Sequence, residues 1–175
     1  MDMEKYFGRQ ADIVARALLG DVLIRKIGKK IMKSRIVETE AYFDEKDPAS
    51  RAVKGGDLRE TMKMKPGTIL IYGIHQQWML NFVTGRKGRA QAVLIRAVEP
   101  INYKGNTRGP GRLTKVLKIN KKLHRKDLSD ISEIKIIPKP LHERIEVETS
   151  KRIGVTKDLE RHYRFYIKGN EWVSK

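Results

Sequence analysis

The 175-residue sequence contains no cysteine. Disulfides, thiolate catalysis, cysteine–zinc sites and iron–sulfur clusters are excluded together. Acids are missing from one third of the chain: residues 61–126 carry 15 basic side chains and one acid, Glu99. Long apolar runs are missing as well. Stretches such as Ile69–Leu70–Ile71–Tyr72 fall far short of the ~20 residues that cross a bilayer. The opening MDMEKYFGRQ has no apolar segment of the kind a signal peptide needs. The expectation is an intracellular protein with no membrane segment. There is no P-loop and no glycine fingerprint after a strand. The four histidines, His75, His124, His142 and His162, lack metal-ligand spacing, so neither metal nor cofactor is expected.

What is present is basic charge, unevenly placed. Residues 1–60 hold 13 basic and 11 acidic side chains, and residues 127–175 hold 10 and 9. The whole chain carries +17, nearly all of it from the middle third. A solvated surface normally mixes its signs. An acid-poor stretch of this length repels itself unless a polyanion meets it, and a phosphate backbone is the commonest such partner.

The length suits one domain, taken as residues 1–175. Residues 10–19 read as a short helix stopped by Gly20. Val22–Ile27 and Ile31–Tyr42 read as a hairpin, followed by a long polar loop over 43–66. Thr68–Ile74, Trp78–Thr84 and Ala90–Val98 read as further strands, the last two joined by the basic turn Gly85-Arg86-Lys87-Gly88-Arg89. Residues 110–119 read as a helix whose start at Gly109-Pro110-Gly111 offers free backbone N–H groups to a phosphate. Ile134–Ile137, Arg144–Thr149 and Arg164–Ile167 complete a strand-rich, mixed domain. No regular alternation of strand and helix supports a doubly wound parallel sheet.

Three features carry candidate chemistry. In Ser34–Tyr42, period-two alternation puts Glu38, Glu40 and Tyr42 on one face with Ile36, and Val37, Thr39 and Ala41 on the other. Carboxylates and a phenol together suit general-base chemistry, although polar residues at an exposed strand end read the same way. Arg96 interrupts the apolar run Ala92–Val98. It is either a buried guanidinium paired with Glu38 or Glu40, or a solvated residue on an edge strand. Tyr72, His75 and Trp78, with Asn81 beyond, are either base-stacking surfaces beside the basic stretch or ordinary core aromatics.

In this context the chain resembles the alkyladenine (3-methyladenine) DNA glycosylases. The matching segments run in order from Arg35-Ile36-Val37-Glu38-Thr39-Glu40-Ala41-Tyr42 through Asp47-Pro48-Ala49-Ser50 and Lys65-Pro66-Gly67-Thr68. They continue with Val93–Pro100, Gly109-Pro110-Gly111-Arg112-Leu113, Ile119-Asn120-Lys121, Arg164–Gly169 and Trp172-Val173-Ser174. The resemblance implies an α+β fold: one mixed domain with a curved, mainly antiparallel sheet and a few short helices. It implies a monofunctional enzyme acting as a monomer on double-stranded DNA that contains damaged purines. By position, Glu40 becomes the general base, and Arg96 and Val155 become neighbours of the attacking water. Tyr42 and Tyr72 become the walls of the base pocket, and Asn81 lies at its rim. His75 or Ile74 becomes the wedge that enters the duplex. Arg86, Arg112, Lys115 and Lys118 are expected on phosphates. Two positions depart from the family: Arg51 stands where a base-contacting histidine is common, and His75 where a tyrosine wedges. Arg51 bears on which lesions are removed. His75 bears on the flipping step, because imidazole is a smaller and wetter wedge than a phenol.

Two other readings compete. A non-catalytic nucleic-acid-binding module explains the charge but gives no reason for the Glu38–Glu40–Tyr42 face or for Arg96. A sugar hydrolase with Glu38 and Glu40 as its pair, their α-carbons ~6–7 Å apart along a strand, has no use for the basic excess.

Overall fold

A computed structural model describes residues 2–175. Two short helices open the chain, α1 (Met3–Phe7) and α2 (Ala11–Leu18). Asp2 caps α1 by accepting the Lys5 N–H. The hairpin β1 (Val22–Ile27) and β2 (Lys30–Tyr42) follows. The segment expected as a polar loop is partly helical. Ser50 caps a 3-10 turn over Arg51–Lys54, and α3 (Gly56–Met62) continues from it. Ala52 and Met62, both buried, supply the apolar contacts that hold this segment down. Next come β3 (Ile69–Ile74), β4 (Gln77–Val83) and β5 (Ala92–Pro100), then α4 (Pro110–Val116). The helix read over 110–119 therefore stops earlier. Lys118 takes a left-handed backbone with φ 48°, which a continuing helix does not allow. The strands β6 (Ile134–Ile137), β7 (Val147–Ser150) and β8 (Arg164–Ile167) close the fold. The strand expected over 144–149 thus starts three residues later.

The strands form one antiparallel sheet in the order β3-β4-β5-β2-β1-β6, with β8 also on β2 and β7 on β8. The long β2 is the axis: its first half pairs with β1, its second half with β8, and both halves with β5. This is the α+β fold with a curled antiparallel sheet that the resemblance implies.

The sheet has two unlike faces. One carries Ile69, Ile71, Leu80, Phe82, Val93 and Ile95 into the main core, closed by α1, α2 and α4. The other carries Leu70, Val83 and Ala92 with Tyr42 and Tyr72, covered by the 43–66 segment. The pairing of β2 with β5 is irregular between Ile36 and Thr39. Val37 is the extra residue on β2 between the Ile36–Val98 and Glu38–Ala97 pairs, and Arg96 is the extra residue on β5 before the Thr39–Ile95 pair, so both strands turn over locally. Ile36, expected on the face of Glu38 and Glu40, instead joins Ala41 in the main core. Among the described residues no helix is long and apolar enough to cross a membrane.

Candidate active site

Period-two alternation on β5 points Val93 and Ile95 into the main core and leaves Leu94 and Arg96 on the opposite face. There they meet residues that β2 presents on the same face. Because β5 lies between β4 and β2, Arg96 is not on an edge, and it is only 7% exposed. Its Nε donates to Glu38 Oε1 at 3.1 Å and its Nη1 approaches Glu40 Oε2 at 3.5 Å. Both glutamates are fully buried. The exposed-strand reading of Glu38 and Glu40 and the edge-strand reading of Arg96 are thereby excluded.

A buried carboxylate persists only when charges and hydrogen bonds replace water. Glu40 receives the Tyr42 hydroxyl at 2.6 Å on Oε2 and the Ile153 N–H at 2.7 Å on Oε1. Burial pushes the Glu40 carboxyl above its ordinary range, with Arg96, Tyr42 and the Ile153 N–H pulling the other way. Burial and the neighbouring Glu40 charge raise the Tyr42 phenol strongly, so Tyr42 donates. Glu38 is tied more completely. It accepts from Arg164 Nε at 2.7 Å, from Ser174 Oγ at 2.8 Å and from the Ser174 N–H at 2.7 Å, besides Arg96. The alternating charges Arg164, Glu38, Arg96 and Glu40 thus form one chain through the protein. Sequence reasoning missed its outer half, because Arg164 and Ser174 lie more than 120 residues from Glu38.

A second buried pair fixes the wall beside Glu40. Arg152 bonds both Asp47 oxygens at 2.7 Å and also reaches Asp158 at 2.7 Å. Burial draws its guanidinium down, and the two aspartates overcome this and raise it. Its Cζ stands 4.6 Å from the centre of the Tyr42 ring. Asp47 also accepts the Phe43 and Ala49 N–H groups, and Ser50 donates to the Phe43 carbonyl. The Asp-Pro-Ala-Ser segment is therefore a stitched loop that holds Arg152 against Tyr42. No periodic signal marks either partner, since both sit in loops.

Over this face lies a cleft of about 480 Å³. Tyr42, Tyr72, Arg96, Arg51 and Val155 line it, with Ile74 and His75 at the β3–β4 turn. Glu40 lies behind Tyr42 and Arg96. Tyr72 and Trp78 part company: Tyr72 faces the cleft, while Trp78 packs on the main core. Asn81 is 2% exposed, donates to the Leu70 and Met79 carbonyls, and does not line the cleft. Its rim position is replaced by one behind Tyr72, where it opposes the rise that burial imposes on that phenol. His75 and Gln76 form a two-residue turn with φ of 48° and 63°, values that a type I′ hairpin demands and that residues other than glycine or asparagine resist. Pro110 at the start of α4 reaches the cleft, and Arg112 and Lys115 are exposed nearby on that helix. Lys118 is exposed beyond the helix end. Arg86 lies at the opposite end of β4 from His75 and borders a separate basic hollow with Arg9 and Arg89. No group of three or more metal-ligating side chains gathers among the described residues.

The model of the methylpurine-DNA glycosylase family matches residues 5–171. The chain belongs to that family. It is 39% identical to a protein of Aeropyrum pernix over 98% of this chain and 92% of the other, and 40% identical to one of Borrelia garinii over 99% and 100%. A Carboxydothermus hydrogenoformans protein is 37% identical over 98% and 97%. All three carry the name "Putative 3-methyladenine DNA glycosylase". With membership of the family, the buried Glu40–Arg96 pair lies at the floor of a cleft in a chain whose relatives are named for removing bases from DNA.

Proposed function

We propose that the protein is a base-excision DNA glycosylase that turns a damaged purine out of a duplex and hydrolyses its N-glycosidic bond with an activated water. The observation that carries the reading is the Glu40 carboxylate, buried behind a cleft walled by Tyr42 and Tyr72 and held by Arg96 at 3.5 Å. A base inside a duplex hides its sugar carbon, so the nucleotide must leave the stack, which costs a few kcal/mol and least for damaged bases. The strained His75-Gln76 turn, with Ile74 beside it, fills the gap. The flipped purine enters between Tyr42 and Tyr72.

A water that reaches Glu40 from the cleft replaces the Tyr42 hydroxyl or the long Arg96 contact. Glu40 takes its proton as the water oxygen attacks C1′, and the carboxylate charge steadies the positive sugar. Arg96, anchored by Glu38, keeps Glu40 in place, and Val155 closes the cleft beside the water. No lysine is needed as nucleophile, so an intact abasic site remains. Arg112, Lys115 and Lys118 hold phosphates without reading sequence.

The test is release of free bases from a methylated duplex, resolved by chromatography, with the product strand probed by borohydride. The expected result is free methylpurine, an unbroken abasic strand and no trapped protein–DNA adduct. A protein that binds the duplex and frees nothing is instead a non-catalytic binding module. A trapped adduct replaces the water with a lysine.

A further inference from the structure

The hollow beyond the end of β4 has no part in the chemistry above. Two chain segments build it: Gly8-Arg9-Gln10 between α1 and α2, and the turn from Gly85 to Arg89 that joins β4 to β5. Arg9, Arg86 and Arg89 border a space of about 630 Å³, and no acid among the described residues lines it. Backbone contacts fix its shape. The Gly85 N–H donates to the Phe7 carbonyl at 3.0 Å and the Arg9 carbonyl at 2.9 Å, and the Gly88 N–H to the Lys63 carbonyl at 2.8 Å. Gln91 Oε1 accepts the Ala11 N–H at 2.9 Å, which leaves its amide N–H groups as neutral donors in the hollow.

The three guanidinium groups lack a partner of opposite sign. Among the described residues none of them enters an ion pair, and Arg86 and Arg89 are exposed. Arg9 is already ordered: its Nε donates to the Tyr6 carbonyl at 2.9 Å, and its Cζ stands 4.7 Å from the Tyr6 ring centre. A side chain ordered in advance loses less freedom when a ligand arrives. Like charges around one concavity repel unless an anion sits between them, and the guanidinium fork matches phosphate oxygens. No aromatic side chain lines the hollow, so it offers no stacking platform of the kind that single strands use. The donors suit backbone phosphates whose bases stay paired.

The position of the hollow separates it from the duplex at the cleft. The seven residues of β4 span about 20 Å. A wedge at His75-Gln76 enters a duplex along the direction of its own strands, so the far end of β4 faces away from that duplex. We infer that Arg9, Arg86 and Arg89 form a second nucleic-acid site, which takes the backbone phosphates of another stretch of duplex DNA while the cleft holds the first. The inference rests on the reading of the cleft as a duplex site. One protein then bridges two duplex segments, and the second is held through charge and the guanidinium fork, without regard to sequence.

The experiment loads the protein on an immobilised short duplex with one central lesion, washes away the excess, and adds a labelled undamaged duplex. The wild type is expected to capture the label. Arg86→Ser/Arg89→Ser is expected to capture roughly tenfold less or below, and the salt slope of capture to fall by about 1.8, two phosphates' worth. Its loading on the lesion duplex is expected to stay within a few-fold of the wild type. Lys87→Ser removes a charge from the same turn but outside the hollow, and is expected to keep most of the capture; circular dichroism checks that each variant folds. A loaded wild type that captures no second duplex overturns the inference. So does an equal loss of capture in Lys87→Ser, or a loss in the double variant matched by an equal loss of loading, which makes the two sites one. Tighter capture of a labelled single-stranded RNA than of the duplex also overturns it and assigns the hollow to RNA. A wild type that never loads on the lesion duplex refutes the reading of the cleft itself, and this inference with it.

Discussion

Glu40 is held between opposing influences. Burial raises its carboxyl above the ordinary 4.5, and Arg96, Tyr42 and the Ile153 N–H restrain the rise. A general base works only when ionised, so base release is expected to climb with pH through the raised value, its half-point above 4.5. A single-turnover pH series reads this directly, and a rate already flat at and above pH 4.5 assigns the base elsewhere. The Asp47–Arg152 pair is the other residue-scale test. Its side chains are 1% and 0% exposed, and loss of Asp47 leaves the buried Arg152 with Asp158 as its one remaining acid. Asp47→Asn is expected to cost about 3 kcal/mol in denaturant unfolding and to slow base release, because Arg152 no longer backs Tyr42. Arg96 was half legible in the sequence: a guanidinium inside an apolar strand demands a partner unless the strand is an edge, and only the position of β5 between β4 and β2 decides between the two. Arg152 was not, because a loop has no period from which a side chain's direction can be read.

At the scale of elements, the β3–β4 hairpin and α4 frame the cleft mouth. His75 and Gln76 hold left-handed backbones that cost roughly 1–2 kcal/mol each for residues with a Cβ. The pair His75→Asn/Gln76→Gly is expected to raise the Tm and to lower base release from a paired duplex more than from a mismatched one. Unchanged release from the paired duplex removes this turn from the flipping step. Gly111 meets Gln77 so closely that an added Cβ lies 2.8 Å from the Gln77 Cβ and overlaps its Oε1. Gly111→Ala is expected to cost about 1–3 kcal/mol by parting α4 from β4. The strands were legible from alternation, including their order along the chain. The bulge at Val37 was not, because it arises from pairing with β5 and not from the β2 sequence alone. The 43–66 segment read as loop because its 3-10 turn and seven-residue α3 are too short for a helical period to show.

Across the whole molecule, the basic stretch is only partly neutralised. Lys63, Lys65, Arg125 and Lys126 find acids from outside residues 61–126, on Glu60, Asp127, Asp57 and Glu133. Arg112 and Lys115 on α4, and Lys118 just beyond its end, remain exposed. Binding to a short duplex with one central lesion is expected to weaken steeply with salt, and Arg112→Ser to reduce the slope of log K against log salt by about 0.9. Arg86→Ser is expected to leave that slope unchanged on a short duplex centred on the lesion, because Arg86 sits at the far end of β4. A flat salt dependence in the wild type separates the charge from DNA altogether. The charge imbalance was visible in the sequence; its division between the cleft side and the separate hollow at Arg9, Arg86 and Arg89 required the fold.

The most direct measurement is single-turnover base release by Glu40→Gln beside the wild type, with affinity for lesion-bearing duplex measured on the same samples. Glutamine keeps the shape and one acceptor, which can still take the Ile153 N–H, while its amide N–H2 meets Tyr42 and Arg96 in place of the carboxylate oxygen and the base is lost. Release is expected to vanish while binding stays within a few-fold of the wild type. Release that continues at the wild-type rate, with binding intact, contradicts the account, because the buried carboxylate is then not the group that activates water.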